Sequence, residues 1–322
     1  MKRVLLIQTA FIGDVILATG LLEKLHAYFP ETQLDMVVRK GNESLLKRHP
    51  FLGQVYTFDK KQKYASMWAL RKVLRPQQYD LAINVQRFAS SGMISWLSGA
   101  KERIGFAKNP LSFTYDKKFP HEIGTGQHEL ERNQQLIAHL TDGEYARPKL
   151  YPSKADYAAL PKAKSYVCLA PTSVWFTKQW PADKWVGLIQ QFSEDTQVFL
   201  LGAPGDKEAC TYIQQQAGRS QVTNLAGKLS LLQSAALMAG ANMNYVNDSA
   251  PLHLASAMNA PLRAIFCSTV PAFGFTPVSD DSQVLETQLE LACRPCGLHG
   301  HKACPEGHFK CTEVEVVTEF PK

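Results

Sequence analysis

The residues whose types and spacing could do chemistry fall in four short stretches, each beginning where an apolar run ends. Asp14 closes a Gly13-Asp14 pair just after the first such run, VLLI at 4–7. A carboxylate at the start of a helix is stabilised as an anion by the helix dipole, which suits a general base taking a proton from a hydroxyl; a plain helix cap is the alternative. In APTSVWFTKQWP, residues 170–181, Thr172 and Ser173 offer hydroxyls and backbone N–H groups and Lys178 a point charge. Together these could hold a diphosphate without a metal and stabilise it as it leaves; the alternative is a polar loop with one surface lysine and two tryptophans on a domain edge. In VNDSAPLHLASAM, residues 246–258, Asp248 could accept hydrogen bonds from sugar hydroxyls and Ser249 could offer its N–H to a phosphate. His253 follows about one helical turn later, where a histidine is more often structural. The turn LGAPGDKE, residues 201–208, puts Asp206 within reach of a ribose hydroxyl, but it lacks the G-x-G-x-x-G spacing of dinucleotide enzymes.

These stretches need elements to position them, and the chain supplies α/β units from end to end. Strands are expected at 4–7, 34–38, 55–58, 81–85 and 103–106, and again at 166–170, 198–202, 222–225, 243–247 and 262–266, alternating with amphipathic helical stretches. Residues 141–164 carry three prolines and no sustained apolar period, so the linker falls there, dividing the chain into domains 1–155 and 156–322. Local chemistry marks several helix starts: Pro181 in a first turn, Ser230 and Gln233 at capping-box spacing, and Asp248 or Ser249 before HLASAM. Each exposes unpaired N–H groups and a positive dipole end, suited to phosphate. Two doubly wound domains bind ligands beyond the carboxyl ends of their strands, in a cleft.

Charge is uneven. Residues 1–155 hold 23 Lys and Arg against 14 Asp and Glu, whereas residues 156–322 hold 12 against 15. The positive field of the first half should attract an anion: nucleic acid, an acidic membrane surface or an acidic glycan. Residues 60–80 put Tyr64, Met67, Trp68 and Leu74 near one helical face with basic side chains elsewhere. Such a helix either lies on an acidic membrane or, as is more usual, covers a sheet with its apolar face. No apolar run approaches the ~20 residues that would span a bilayer, and Gln8, Thr9 and Asp14 interrupt the N-terminal run before a signal-peptide core forms. A cytoplasmic protein is the expectation.

The ordered set IGDVILATGLLEKL, INVQRFASSGMISWLSGAKERIGF, HELERN, APTSVWFTKQWP, LGAPGDKE, LAGKLSLLQSAALMAGA, NDSAPLHLASAM and CPEGHFKCT closely resembles glycosyltransferase family 9, the ADP-heptose:lipopolysaccharide heptosyltransferases, over nearly the whole chain. The resemblance implies a GT-B fold with an N-terminal acceptor domain and a C-terminal ADP-sugar domain. It implies metal-independent transfer of a heptose, with inversion, onto the lipopolysaccharide inner core or a related anionic glycan. It makes Asp14 the base and assigns Lys178, Thr172 and Ser173 to phosphate and sugar, Asp206 and Leu229 to ribose and adenine, and Asp248, Ser249 and His253 to the sugar pocket. Gly13 and Arg87 are the acceptor-side candidates. The chain departs from the family in Ala250-Pro251-Leu252-His253 after NDS and in Val85-Gln86-Arg87 where Leu-Gln-Gly is usual; the added arginine favours an acidic acceptor.

The implied partners are therefore ADP-heptose and an anionic lipopolysaccharide core, with peripheral contact at the inner face of the cytoplasmic membrane and no nucleic acid. Cys293, Cys296, Cys304 and Cys311 form C-x2-C-x7-C-x6-C, which admits structural zinc but lacks the paired C-x2-C repeat. Reduced thiols, and no metal or other cofactor, are the expectation. Two other functions fit similar paired domains: a nucleotide-sugar epimerase and a non-catalytic carbohydrate-binding module.

Overall fold

The computed structural model describes residues 1–318, which divide into two compact units, Met1–Tyr151 and the part of the chain from Pro152 onward. The first unit contains β1 (Arg3–Gln8), α1 (Ile12–Tyr28), β2 (Gln33–Arg39), β3 (Leu52–Phe58), α2 (Lys63–Leu74), β4 (Leu81–Asn84), α3 (Ala89–Leu97), β5 (Glu102–Phe106), β6 (Lys117–Phe119) and α4 (Glu129–Gln135). The second contains α5 (Lys154–Ala158), β7 (Tyr166–Ala170), α6 (Ala182–Gln191), β8 (Gln197–Leu200), α7 (Lys207–Ala217), β9 (Val222–Asn224), α8 (Leu231–Ala239), β10 (Met243–Asn247), α9 (Ala250–Ala257), β11 (Leu262–Phe266) and β12 (Ser282–Glu286).

Each unit is built on a six-stranded sheet in which every strand pair is parallel, in the order β3-β2-β1-β4-β5-β6 and β12-β11-β10-β7-β8-β9. Counted from each unit's own first strand, the two orders are the same doubly wound 3-2-1-4-5-6. The central strands carry apolar runs because helices cover both faces: Val4–Ile7 and Val167–Ala170 are buried throughout.

Two strands lie outside the expected set, β6 and β12. Both are edge strands that pair on one side only, and their sequences, KKF and SQVLE, keep polar side chains that a central strand would exclude. The expected linker is shorter than the stretch 141–164, since α5 begins at Lys154 under a capping box in which Ser153 Oγ accepts from Asp156 N at 3.2 Å. Pro181 is the residue before α6 and not part of its first turn. Trp180, placed on a domain edge by the bland reading of its loop, is buried against Trp185, ring centroids 5.2 Å apart.

The basic helix also needs correction. Its sheet-covering face is Met67, Leu70 and Leu74, at i, i+3 and i+7, while Tyr64 and Trp68 are 75% and 57% exposed. Large aromatic side chains looked like core in the sequence; the packing phase of the helix turns them outward.

Candidate active site

In the first unit, the candidate side chains stand where strands end. The loop after β1 is pinned from both sides: Ala10 N donates to Gln8 Oε1 at 3.2 Å and Asn42 Nδ2 donates to the Ala10 carbonyl at 3.0 Å. Asp14 occupies the first turn of α1, where one carboxylate oxygen accepts from Phe11 N at 3.2 Å. It therefore does cap the helix, yet it keeps lone pairs for another proton donor. Burial, and then the negative charge of Glu129, push its pKa up to about 6, against the backbone hydrogen bonds of Phe11 and Asp14 itself and the charge of Arg87. Gly13 lies beside it in the same turn.

Glu129 belongs to HELERN and stays ionised. Burial opposes its charge, but the His121 hydrogen bond at 3.1 Å and the charges of His121 and Arg132, whose Nε donates at 2.7 Å, hold its pKa below the usual carboxylate range. Two cations in this region escape a reading of the sequence. Arg39 ends β2 with its guanidinium 5.8 Å from the Phe11 ring centroid, and Lys60 follows β3. Desolvation and the charge of Arg39 lower the Lys60 pKa, while the charge of Asp14 opposes them. Arg87 follows β4 in a loop that Asn109 Nδ2 clamps by donating to the Gln86 and Phe88 carbonyls, both at 3.0 Å. Parallel strands β3, β2, β1 and β4 lie side by side, so Lys60, Arg39, Asp14 and Arg87 all follow the same edge of one sheet. Nothing in their spacing of some 20–30 residues signals that grouping; strand order creates it.

In the second unit, the strand order reverses between β7 and β10, which is where doubly wound sheets bind ligands. There Lys178 Nζ meets Asp248 Oδ2 at 2.6 Å, the side chains being 15% and 8% exposed. Thr269 Oγ1 donates to the same carboxylate at 2.6 Å. An ammonium has three hydrogens, so this pair leaves donors on Lys178 for a second anion. Trp180 N donates to Asn247 Oδ1 at 3.1 Å and Gln179 Nε2 to the Ser173 carbonyl at 2.7 Å, tying the lysine loop to the end of β10 and folding it on itself. Ser249 is the N-cap of α9, but its hydroxyl makes no cap hydrogen bond and instead lies 3.4 Å from the Thr172 carbonyl. Pro251 has no N–H and Leu252 N donates to the Ser249 carbonyl at 3.1 Å, so the Ala250 N–H is the first-turn donor of α9 that can face an anion. Thr172, Ser173, Lys178, Asp248 and Ser249 are brought together.

His253 is buried within α9. Asp206 and Leu229 form a separate group on the turns after β8 and β9: Gly227 N donates to the Gly202 carbonyl at 2.9 Å, and Asp206 Oδ2 accepts from Ala203 N at 2.7 Å. That approach needs glycine at 227, where φ is +73° and a Cβ would sit 2.8 Å from Pro204 Cα. A hollow of about 310 Å³ borders the region between α6 and α7, and of the expected donor residues only Thr172 lines it.

Sequence reasoning treated the cysteine segment separately from the lysine loop, but it buttresses that loop. Thr177 N donates to the His301 carbonyl at 3.1 Å and His301 N donates to Thr177 Oγ1 at 2.8 Å. At Gly300, with φ +79°, a Cβ would meet Thr177 Oγ1 at 2.8 Å and Lys178 Cγ at 3.2 Å. Gly300→Ala is expected to destabilise the fold by about 1–3 kcal/mol through backbone strain and to weaken donor binding by displacing Lys178. Thermal unfolding with and without ADP checks both. Cys293, Cys296, Cys304, Cys311 and His308 line one cavity of about 180 Å³. Burial pushes the Cys311 thiol up to about 11, and among the described residues no three His, Cys, Asp or Glu side chains are gathered as metal ligands.

Two doubly wound units, one with a carboxylate at the end of its first strand and the other with a lysine-aspartate pair at its switch point, define a glycosyltransferase of the GT-B class. The model of glycosyltransferase family 9 (heptosyltransferase) matches residues 67–307, and the chain belongs to that family. It is 28% identical to lipopolysaccharide heptosyltransferase 1 of Pseudomonas aeruginosa, over 91% of this chain and 86% of the relative. It is 25% identical to lipooligosaccharide heptosyltransferase 2 of Campylobacter jejuni, over 97% and 96%. The fold is that of ADP-heptose lipopolysaccharide heptosyltransferase II of Escherichia coli, with a TM-score of 0.76 at 22% identity, covering 92% of this chain and 96% of that one. Family membership answers the epimerase and binding-module alternatives in favour of transfer.

Proposed function

We propose that the chain transfers a heptose from ADP-heptose to an anionic, lipid-linked inner-core acceptor of lipopolysaccharide, with inversion and with no metal in the chemical step. The first unit takes the acceptor and the second the donor. Asp14 accepts the proton of the attacking hydroxyl as that oxygen bonds to the anomeric carbon. The bond from that carbon to the diphosphate breaks, its electrons leave with ADP, and Lys178 with the Ala250 N–H at the start of α9 stabilises the charge. Thr172, Ser173, Asp248, Ser249 and His253 hold phosphate and sugar; Asp206 and Leu229 hold ribose and adenine. Gly13 and Arg87, joined by Arg39 and Lys60, receive the acidic acceptor.

The observation that carries the reading is the Asp14 carboxylate. Its pKa of about 6 makes it a stronger base than an ordinary aspartate while leaving it mostly ionised at neutral pH, and cations follow the neighbouring strand ends. The lipopolysaccharide acceptors named for its relatives support the acceptor class. A cytoplasmic nucleotide sugar and a lipid-linked acceptor together put the enzyme at the inner face of the cytoplasmic membrane in peripheral contact with it.

A donor screen by thermal shift tests the reading. ADP-heptose at about 100 times its Kd should stabilise the protein by about 2.7 kcal/mol, and UDP- and GDP-sugars at the same concentration by much less. Adding a lipopolysaccharide inner-core acceptor should then release ADP. Preference for a UDP- or GDP-sugar, or isomerisation of the donor in the absence of acceptor, refutes it.

A further inference from the structure

We infer that the outer face formed by α2 and α3 is a docking surface for an anionic phospholipid bilayer. Trp68 on α2 and Trp96 on α3 are 57% and 52% exposed and border one groove of about 330 Å³ with Arg71, Arg75 and Arg103. Arg71 lies 5.3 Å from the Trp68 ring centroid. Tyr64, one turn before Trp68, extends the exposed apolar surface along α2, a helix about 18 Å long. Burying Met67, Leu70 and Leu74 against the sheet already satisfies this helix, so the fold gives no reason to keep a second set of large apolar side chains in water.

Charge selects the occupant. From Lys61 to Gln78 the chain carries five cations and no acid, and none of residues 89–101 is acidic. The flanking carboxylates are already neutralised: Asp59 by Lys40 at 3.0 Å, Asp80 by Lys101 at 2.8 Å and Glu102 by Lys117 at 2.9 Å. What remains is an uncompensated positive face set with tryptophans. Indole rings favour the headgroup level of a bilayer, and lysines and arginines beside them add attraction to anionic lipid. Choosing a bilayer over another polyanion rests on the lipid-linked acceptor proposed above.

Sedimentation with vesicles tests the surface without donor or acceptor, so its outcome is independent of the transfer assay. The wild-type protein should bind vesicles containing about one-third phosphatidylglycerol, bind phosphatidylcholine vesicles far less, and release as salt is raised. Arg71→Gln/Arg75→Gln should lower the partition coefficient by roughly 20- to 30-fold, from about fivefold per charge. Trp68→Ser/Trp96→Ser should lower it by about tenfold or more. Arg103 is left intact because its Nε bonds the Thr114 carbonyl at 2.8 Å. Both double variants should keep the wild-type melting temperature and full ADP release with a delipidated acceptor. Indifference of the wild type to phosphatidylglycerol, unchanged partition of both variants, or displacement from vesicles by a single-stranded oligonucleotide that binds the same residues would overturn the inference.

Discussion

Asp14→Asn lowers kcat by about 10²–10⁴ and leaves ADP-sugar affinity unchanged, the result expected if this carboxylate removes the acceptor proton and does nothing for the donor. The wild-type acid limb supplies an independent measure. Only ionised Asp14 accepts a proton, and its pKa is raised to about 6, so kcat/KM should fall tenfold per pH unit below about 6 and level off above it. Stability separates this role from capping. The folded pKa lies above the value of 3.8 for an unperturbed aspartate, so the folded state binds the proton more tightly. Ionised Asp14 thus subtracts stability as pH rises from about 4 through 6, and the full deficit applies at pH 7. Removing the charge relieves that deficit, while the hydrogen bond from Phe11 N, now accepted by a neutral amide oxygen, weakens by about 1 kcal/mol. The asparagine variant should therefore be as stable as wild type at pH 7, or more so by about 1 kcal/mol. A drop in melting temperature with undiminished turnover would make Asp14 a cap and nothing more.

Lys178→Ala has the second large effect, on stability as well as rate. Asp248 keeps its hydrogen bond from Thr269 Oγ1 but loses its cation at a site where its side chain is 8% exposed. Leaving one member of a buried pair uncompensated costs about 3–5 kcal/mol. Loss of the charge proposed to meet the departing diphosphate should also reduce kcat by about 10²–10³. Lys178→Met/Asp248→Asn separates the two: with no charge left unpaired, most of the melting temperature should return while turnover stays low. If turnover recovers along with stability, Lys178 is a structural partner of Asp248 and the phosphate role is wrong.

How much of this was legible in the sequence varied with the kind of information each residue carries. Central strands such as β1 and β7 were readable because a parallel sheet covered on both faces favours apolar runs; β6 and β12 were not, since an edge strand tolerates KKF or half-polar SQVLE. The capping box of Ser230 and Gln233 was readable because both partners lie within four residues. The face of α2 was misread, because periodicity offered Tyr64 and Trp68 to the core and only packing against the sheet chose Met67, Leu70 and Leu74 instead.

By itself, then, the order of residues determined the α/β class, the two-unit plan and the local chemistry at strand ends, all of which depend on neighbours a few positions apart. Tertiary structure alone decided which strand ends lie side by side. That choice sets Arg39 and Lys60 along the sheet edge that bears Asp14, pairs Lys178 with Asp248 and leans the cysteine segment on Thr177. The physical reason is that a site assembled from several crossovers depends on strand order, and strand order is fixed by burial of the whole sheet, to which no single stretch of sequence answers.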